Sequence, residues 1–139
     1  MEQKLIFTNA VGNALDNLVD ALDAASVTII TDTNTLRLVL PLLQADSRTA
    51  ASARIITIKS DDINKNLDGL KHVWTGLAEG DVTRKSLIIN LGGGVVTDLG
   101  GFAAATFKRG IPYINIPATL LGAVDASVGG KTAINFNGL

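Results

Sequence analysis

The run Leu87-Ile88-Ile89-Asn90-Leu91 passes without a spacer into Gly92-Gly93-Gly94, and from there into a stretch of helical composition. A nearly continuous apolar run that ends in a glycine turn suits a strand covered on both faces, and such strands belong to parallel sheets. Val27-Thr28-Ile29-Ile30, Ile55-Ile56-Thr57-Ile58 and Tyr113-Ile114-Asn115-Ile116 repeat the pattern, with helical segments between them. Alternation of this kind predicts an α/β layered domain with a mostly parallel sheet and helices on both faces.

The intervening segments carry the helical period. Val11, Ala14, Leu15, Leu18, Val19 and Leu22 form one apolar stripe, opposite Asn13, Asp16, Asn17, Asp20 and Asp23. Ile63, Leu67, Leu70, Trp74 and Leu77 form another, which Ser60 or Asp61 can cap. His72 lies in that helix away from the stripe, as an ordinary surface or rim residue. A helix after Asn34 meets Pro41 in its middle, where proline removes a backbone hydrogen bond. The stretch from Val95 to Lys108 reads as one helix with small residues on one side.

Composition removes several classes of function. With no cysteine and one histidine the chain assembles neither a disulfide framework nor a thiolate or histidine metal cluster, so no metal ligands are expected here. Twelve basic against thirteen acidic residues give a net charge of −1, which offers no footprint for nucleic acid or an anionic membrane. Residues 1 to 9 lack the basic start and apolar core of a signal peptide, and residues 86 to 107 contain five glycines, Asn90 and Asp98 within their apolar length. The expectation is a cytoplasmic protein with no membrane span. The last residues, Asn137-Gly138-Leu139, carry no helix stop or charged tail, so a piece of a longer protein is expected.

The candidate chemistry gathers at strand ends. Glycines at 92 to 94 let a backbone approach a phosphate, and the following helix start supplies free amides and partial positive charge. The alternative is a tight turn that needs positive φ. The run fails G-x-G-x-x-G because Thr97 stands at the sixth position, and Val128-Gly129-Gly130-Lys131-Thr132 fails the P-loop pattern because Asp125 stands where its first glycine belongs. Asp32 and Asn34 follow the strand from Val27 to Thr31, where a carboxylate can accept ribose hydroxyls or cap a helix. Lys65 sits in the first turn of its helix, where the macrodipole disfavours a cation, so it is either the partner of a phosphate or, more commonly for such a residue, a solvated lysine. Asp125 and Lys131 flank a small-residue link that can bring both charges to one cleft, as a substrate-orienting pair or a structural ion pair.

Taken together, the segments 90–102, 117–121 and 124–132, that is NLGGGVVTDLGGF, PATLL and VDASVGGKT, resemble the 3-dehydroquinate synthase family in order and spacing. The resemblance implies a Rossmann-like, NAD-binding α/β domain over residues 1–139, with the family's C-terminal helical zinc-binding domain outside this chain. It implies that Asp32 and Asn34 contact the NAD adenosine, and that Gly93, Gly94, Val95 and Asp98 hold the diphosphate and ribose. Lys65 matches the lysine of a Glu-x-x-Lys, with Asp62 in place of the glutamate. Ala118-Thr119 replaces a commoner Thr-Thr pair in the cofactor site. Asp125 and Lys131 match substrate-binding positions, and Lys131 also lies beside the cofactor. Arg109 matches an arginine that reaches the substrate phosphate of the neighbouring subunit in a homodimer.

The family's activity, carried over by resemblance, is phosphate elimination from 3-deoxy-arabino-heptulosonate 7-phosphate and ring closure to 3-dehydroquinate in the shikimate pathway of aromatic amino-acid biosynthesis. It uses catalytic NAD and zinc or another divalent metal, whose ligands this chain lacks, so the chain alone is expected to be inactive. Three other readings stand beside it: another sugar phosphate cyclase such as 2-deoxy-scyllo-inosose synthase, an NAD-dependent polyol dehydrogenase, and a nucleotide-binding module without catalysis.

Overall fold

The computed structural model describes residues 2–8, 11–59, 67–117 and 132–138. The elements in chain order are β1 (Glu2–Thr8), α1 (Val11–Leu22), β2 (Val27–Asp32), α2 (Thr33–Leu38), α3 (Leu40–Asp46), α4 (Arg48–Ser52) and β3 (Arg54–Ile58). They continue as α5 (Leu67–Glu79), β4 (Leu87–Gly92), α6 (Gly94–Thr106), a 3₁₀ turn (Phe107–Arg109), β5 (Tyr113–Pro117) and β6 (Thr132–Gly138). One sheet runs in the order β1-β6-β5-β4-β2-β3.

The four strands expected from the sequence, β2, β3, β4 and β5, pair in parallel as one block. β6 adds to β5 antiparallel, and β1 adds to β6 antiparallel, so the sheet is mixed at that edge, where the sequence reading had no strands.

All six residues of β4 are buried, and successive side chains alternate between two cores. Leu87, Ile89 and Leu91 join Ile29, Ile114 and Ile116 against Val11 and Leu15 of α1, Leu40 and Leu43 of α3, and Ala50 of α4. Ile88 joins Ile30, Ile56 and Ile58 against Leu70, Val73 and Leu77 of α5 and Val96, Leu99 and Ala103 of α6. Two-sided coverage is what the unbroken apolar runs demanded. Burial of twelve large side chains such as Leu15, Ile89 and Ile116 stabilises the layers by roughly 1.5–3 kcal/mol each relative to exposure, before entropy is set against it.

Two helical expectations are corrected. The segment after Asn34 is two helices that break at Val39, and Pro41 sits in the first turn of α3, where its missing N–H has no helical partner to lose. The helix from Val95 begins one residue earlier and stops at Thr106, because Lys108 turns left-handed with φ 45°. Ile111 N–H donates back to the Ala104 carbonyl at 2.7 Å, which fixes that turn. Within the second stripe, the structure describes α5 from Leu67, so Ile63 and the Ser60 or Asp61 cap lie outside the described residues.

The helices α1 and α4 are joined by a buried carboxylate. Asp16 Oδ1 accepts from the Ser47 hydroxyl at 2.7 Å and the Thr49 amide at 3.1 Å, and Oδ2 accepts from the Arg48 amide at 3.3 Å. Asp16 therefore caps the N-terminus of α4 from another helix, while Ser47 Oγ accepts from the Ala50 amide at 3.1 Å. Burial alone raises the Asp16 carboxyl, but these hydrogen bonds together outweigh it and hold the group below its ordinary value.

Candidate nucleotide site

The chain leaves β2 toward β3 through α2, α3 and α4 on one face, and leaves β4 toward β5 through α6 on the other. β2 and β4 are neighbours, so their carboxyl ends open a crevice where the connections diverge, the usual ligand position in open α/β sheets. Ile30 pairs with Asn90, and two residues further on each strand ends, at Asp32 and Gly92. Neighbouring strands lie about 4.8 Å apart, so Asp32 and the glycine turn share one rim.

Each glycine of the turn has its own reason. A Cβ at Gly92 would press on the Val96 side chain at 2.8 Å, so internal packing explains that position. A Cβ on Gly93 or Gly94 would meet nothing within 4 Å. Neither has positive φ: Gly93 sits at φ −87°, and among the described residues the one glycine with positive φ is Gly110. The tight-turn alternative fails, since this backbone is open to any residue. Gly93 is the N-cap of α6 and gives no side-chain hydrogen bond, so among the described residues no side chain caps the first amides of this thirteen-residue helix at the crevice.

Asp32 does cap a helix: its Oδ1 accepts from the Thr35 amide at 2.7 Å. That cap uses one carboxylate oxygen and holds the group at the crevice rim. Asn34 follows in the first turn of α2, Val95 is half-buried behind the glycines, and Asp98 is exposed one turn into α6. Arg109 is not brought to this rim. Fifteen residues separate it from Gly94 along α6 and the 3₁₀ turn, which places it roughly 20 Å away at the opposite end of the sheet. Asp62, Lys65, Ala118, Thr119, Asp125 and Lys131 lie outside the described residues.

Two residues beneath the site carried no readable signal. Asn90 is fully buried in β4, and its Nδ2 donates to Asn115 Oδ1 in β5 at 3.0 Å. Its Oδ1 has no hydrogen-bond partner and faces Gly100 of α6. An asparagine inside an apolar run announces nothing until the neighbouring strand is known. His72 is exposed, with Nε2 at 2.9 Å from the Thr57 carbonyl, as the rim reading held. No group of three metal-binding side chains occurs among the described residues. No helix among them is long and apolar enough to cross a membrane.

The profile of the 3-dehydroquinate synthase N-terminal family matches residues 55–139. The chain belongs to that family. A 3-dehydroquinate synthase of Parabacteroides distasonis is 46% identical over 138 residues, covering 99% of this chain and 39% of the relative. One from Clostridium kluyveri is 40% identical over 122 residues, covering 87% and 34%. The chain thus spans less than half the length of these 3-dehydroquinate synthases.

Among solved structures, a 2-epi-5-epi-valiolone synthase from Streptomyces hygroscopicus, with NAD+ and Zn2+ bound, aligns with TM-score 0.63 and 30% identity over 84% of this chain and 32% of that one. A 2-deoxy-scyllo-inosose synthase, complexed with carbaglucose-6-phosphate, NAD+ and Co2+, aligns with TM-score 0.67 and 19% identity over 77% and 29%, a likeness of fold. The 3-dehydroquinate synthase N-terminal fold therefore carries the crevice between β2 and β4 in this chain.

Proposed function

We propose that this chain is the NAD-binding part of a 3-dehydroquinate synthase acting on 3-deoxy-arabino-heptulosonate 7-phosphate in the cytoplasm. One observation carries the reading. Neither Gly93 nor Gly94 has positive φ, and among the described residues nothing fills the space a Cβ there would take, which suits a ligand lying against them. The uncapped amides of α6 suit a diphosphate there, and the second oxygen of Asp32 suits a ribose hydroxyl. Asn34, Val95 and Asp98 line the same rim, with Asp62, Lys65, Ala118, Thr119 and Lys131 completing the cofactor contacts.

NAD, when bound, supplies reversible hydride removal from a carbinol carbon. The residues of this chain orient the dinucleotide along the crevice and shield its diphosphate from water. Asp125 and Lys131 hold the phosphorylated substrate, and Arg109 at the far end of the sheet serves the substrate phosphate of a second subunit, which requires a homodimer. The zinc or other divalent metal of the complete enzyme finds no ligand set among the described residues.

Calorimetric titration with NAD+ tests the cofactor reading. Saturable binding that Gly94→Val abolishes, with the far-ultraviolet spectrum unchanged, supports it. Binding that survives the substitution overturns it. The 30% identity to a valiolone synthase gives a second reading, a different cyclitol product, which formation or absence of 3-dehydroquinate from 3-deoxy-arabino-heptulosonate 7-phosphate by the full-length protein separates.

A further inference from the structure

Beneath the glycine turn, one side chain links three elements. Asn90 is fully buried in β4, two residues before Gly92. It stands opposite Asn115 of β5 in the register, and its Nδ2 donates to Asn115 Oδ1 at 3.0 Å. Its Oδ1 has no hydrogen-bond partner among the described residues and lies against the backbone of Gly100 in α6.

An unsatisfied amide oxygen in a sheet core is costly, and an apolar side chain at this position would remove the cost. Filling space is therefore not what calls for an amide. What the amide adds is a specific partner. Ile89 and Leu91 stand opposite Ile114 and Ile116, so a slip of two residues would still leave apolar side chains facing each other. After such a slip Asn90 would face Pro117 or Tyr113 in place of Asn115. A buried polar pair that singles out one alignment in this way is the best-attested use of such groups.

That alignment decides what emerges at the crevice rim. Gly92 stands opposite Pro117, the residue before Ala118 and Thr119 in the chain. The same amide also seats the helix. α6 meets β4 where Val96 packs over Gly92 and where Gly100 rests on Asn90. Four helical residues rise about 6 Å and two strand residues about 6.6 Å, so both contacts form together and fix α6 lengthwise on β4. Gly101 extends the seat onto the Tyr113 ring of β5, 3.4 Å from where its own Cβ would stand.

We propose that Asn90 and Asn115 are positioning residues of the nucleotide site. Their amide pair holds β4, β5 and α6 in the one alignment that presents the glycine turn and the first amides of α6 to a dinucleotide diphosphate. The role rests on the NAD reading given above. Asn90 is buried below the rim, so it acts through the backbone of Gly92 to Gly94 and through α6.

The test is calorimetric titration of the full-length protein with NAD+, with urea unfolding beside it and far-ultraviolet spectra to confirm folding. Asn115→Leu removes the acceptor at a half-buried position, and Asn90→Ala removes the pair from the other side. Each should weaken NAD+ binding by roughly three- to thirtyfold, the range through which residues without ligand contact modulate a site. Asn115→Asp keeps an oxygen for Asn90 Nδ2 and should bind NAD+ as the native protein does. If Asn90→Ala does not fold, the two Asn115 variants decide alone. Lower urea midpoints with an unchanged NAD+ dissociation constant would make the pair merely structural and overturn the proposal. Equal losses in Asn115→Asp and Asn115→Leu overturn it too, because the hydrogen bond would then not matter. Gly94→Val separates this failure from failure of the NAD reading. Loss of NAD+ by Gly94→Val beside normal binding by the asparagine variants removes the positioning role and leaves the site standing. If the native protein takes up no NAD+, or Gly94→Val binds it equally, both fall.

Discussion

The backbone of Gly100 in α6 packs directly onto the side-chain oxygen of Asn90 in β4, with no room for a methyl group between them. This contact sets how closely the helix lies on the strand whose end forms the glycine turn. Gly100→Ala forces a buried amide to move, and overpacking of this kind costs about 1–3 kcal/mol. Urea denaturation should show the midpoint fall by a corresponding amount. The double variant Gly100→Ala, Asn90→Ala should lose less than the sum of the two single changes, since each acts on the same contact. Strict additivity would mean that the contact is not shared.

Gly94→Ala separates folding from binding. Its Cβ meets nothing in the protein, and alanine is the better helix former, so stability should hold or rise by up to about 1 kcal/mol. On the proposed NAD site, affinity should drop at least about tenfold, because the methyl group would fill the space proposed for a diphosphate oxygen. Titration calorimetry beside thermal unfolding reads both quantities.

Different substitutions at Asp32 divide its observed helix cap from its proposed cofactor contact. Asp32→Ala removes the cap on the Thr35 amide and should cost about 1 kcal/mol as well as cofactor affinity. Asp32→Ser keeps a capping oxygen and should restore most of the stability while leaving NAD+ binding impaired. If serine restores both, the carboxylate serves α2 alone.

Asp16 makes stability depend on acid. Its folded-state pKa is depressed by the hydrogen bonds that outweigh burial, so its contribution is fully present above the unfolded value of about 3.9 and is lost as pH falls through the lower folded value. Urea midpoints measured from neutral pH downward should therefore fall more steeply for the native chain than for Asp16→Asn. Parallel curves for the two proteins would remove Asp16 from the acid response.

The parallel block was legible because burial on both faces leaves its mark in every residue of a strand, as in Leu87 to Leu91. β1 and β6 were not: Gln3, Lys4, Asn135 and Asn137 interrupt their apolar residues, and only the pairing of residues 2–8 with 132–138 makes strands of them. The end of α6 was misread because nothing in Thr106-Phe107-Lys108 is a helix stop, and the bond from Ile111 to Ala104 that turns the chain is tertiary. At the site, the crevice residues Asp32, Gly93 and Gly94 stood out as strand-end chemistry. Whether the glycines served the turn or a ligand depended on dihedral angles and empty space, which no spacing encodes. The separation of Arg109 from them follows from the length of α6.

The outermost strand of the mixed edge has a consequence for how the protein is made. Among the described residues β1 pairs with β6 and with no other strand, Glu2 opposite Gly138. At translation rates of about 5–20 residues per second, β1 waits on the order of ten seconds for its partner to be made. From the making of residues 113–117 until residues 132–138 follow, β5 is the outer strand of the growing sheet and β1 is loose. Loss of residues 132–138 would make that condition permanent.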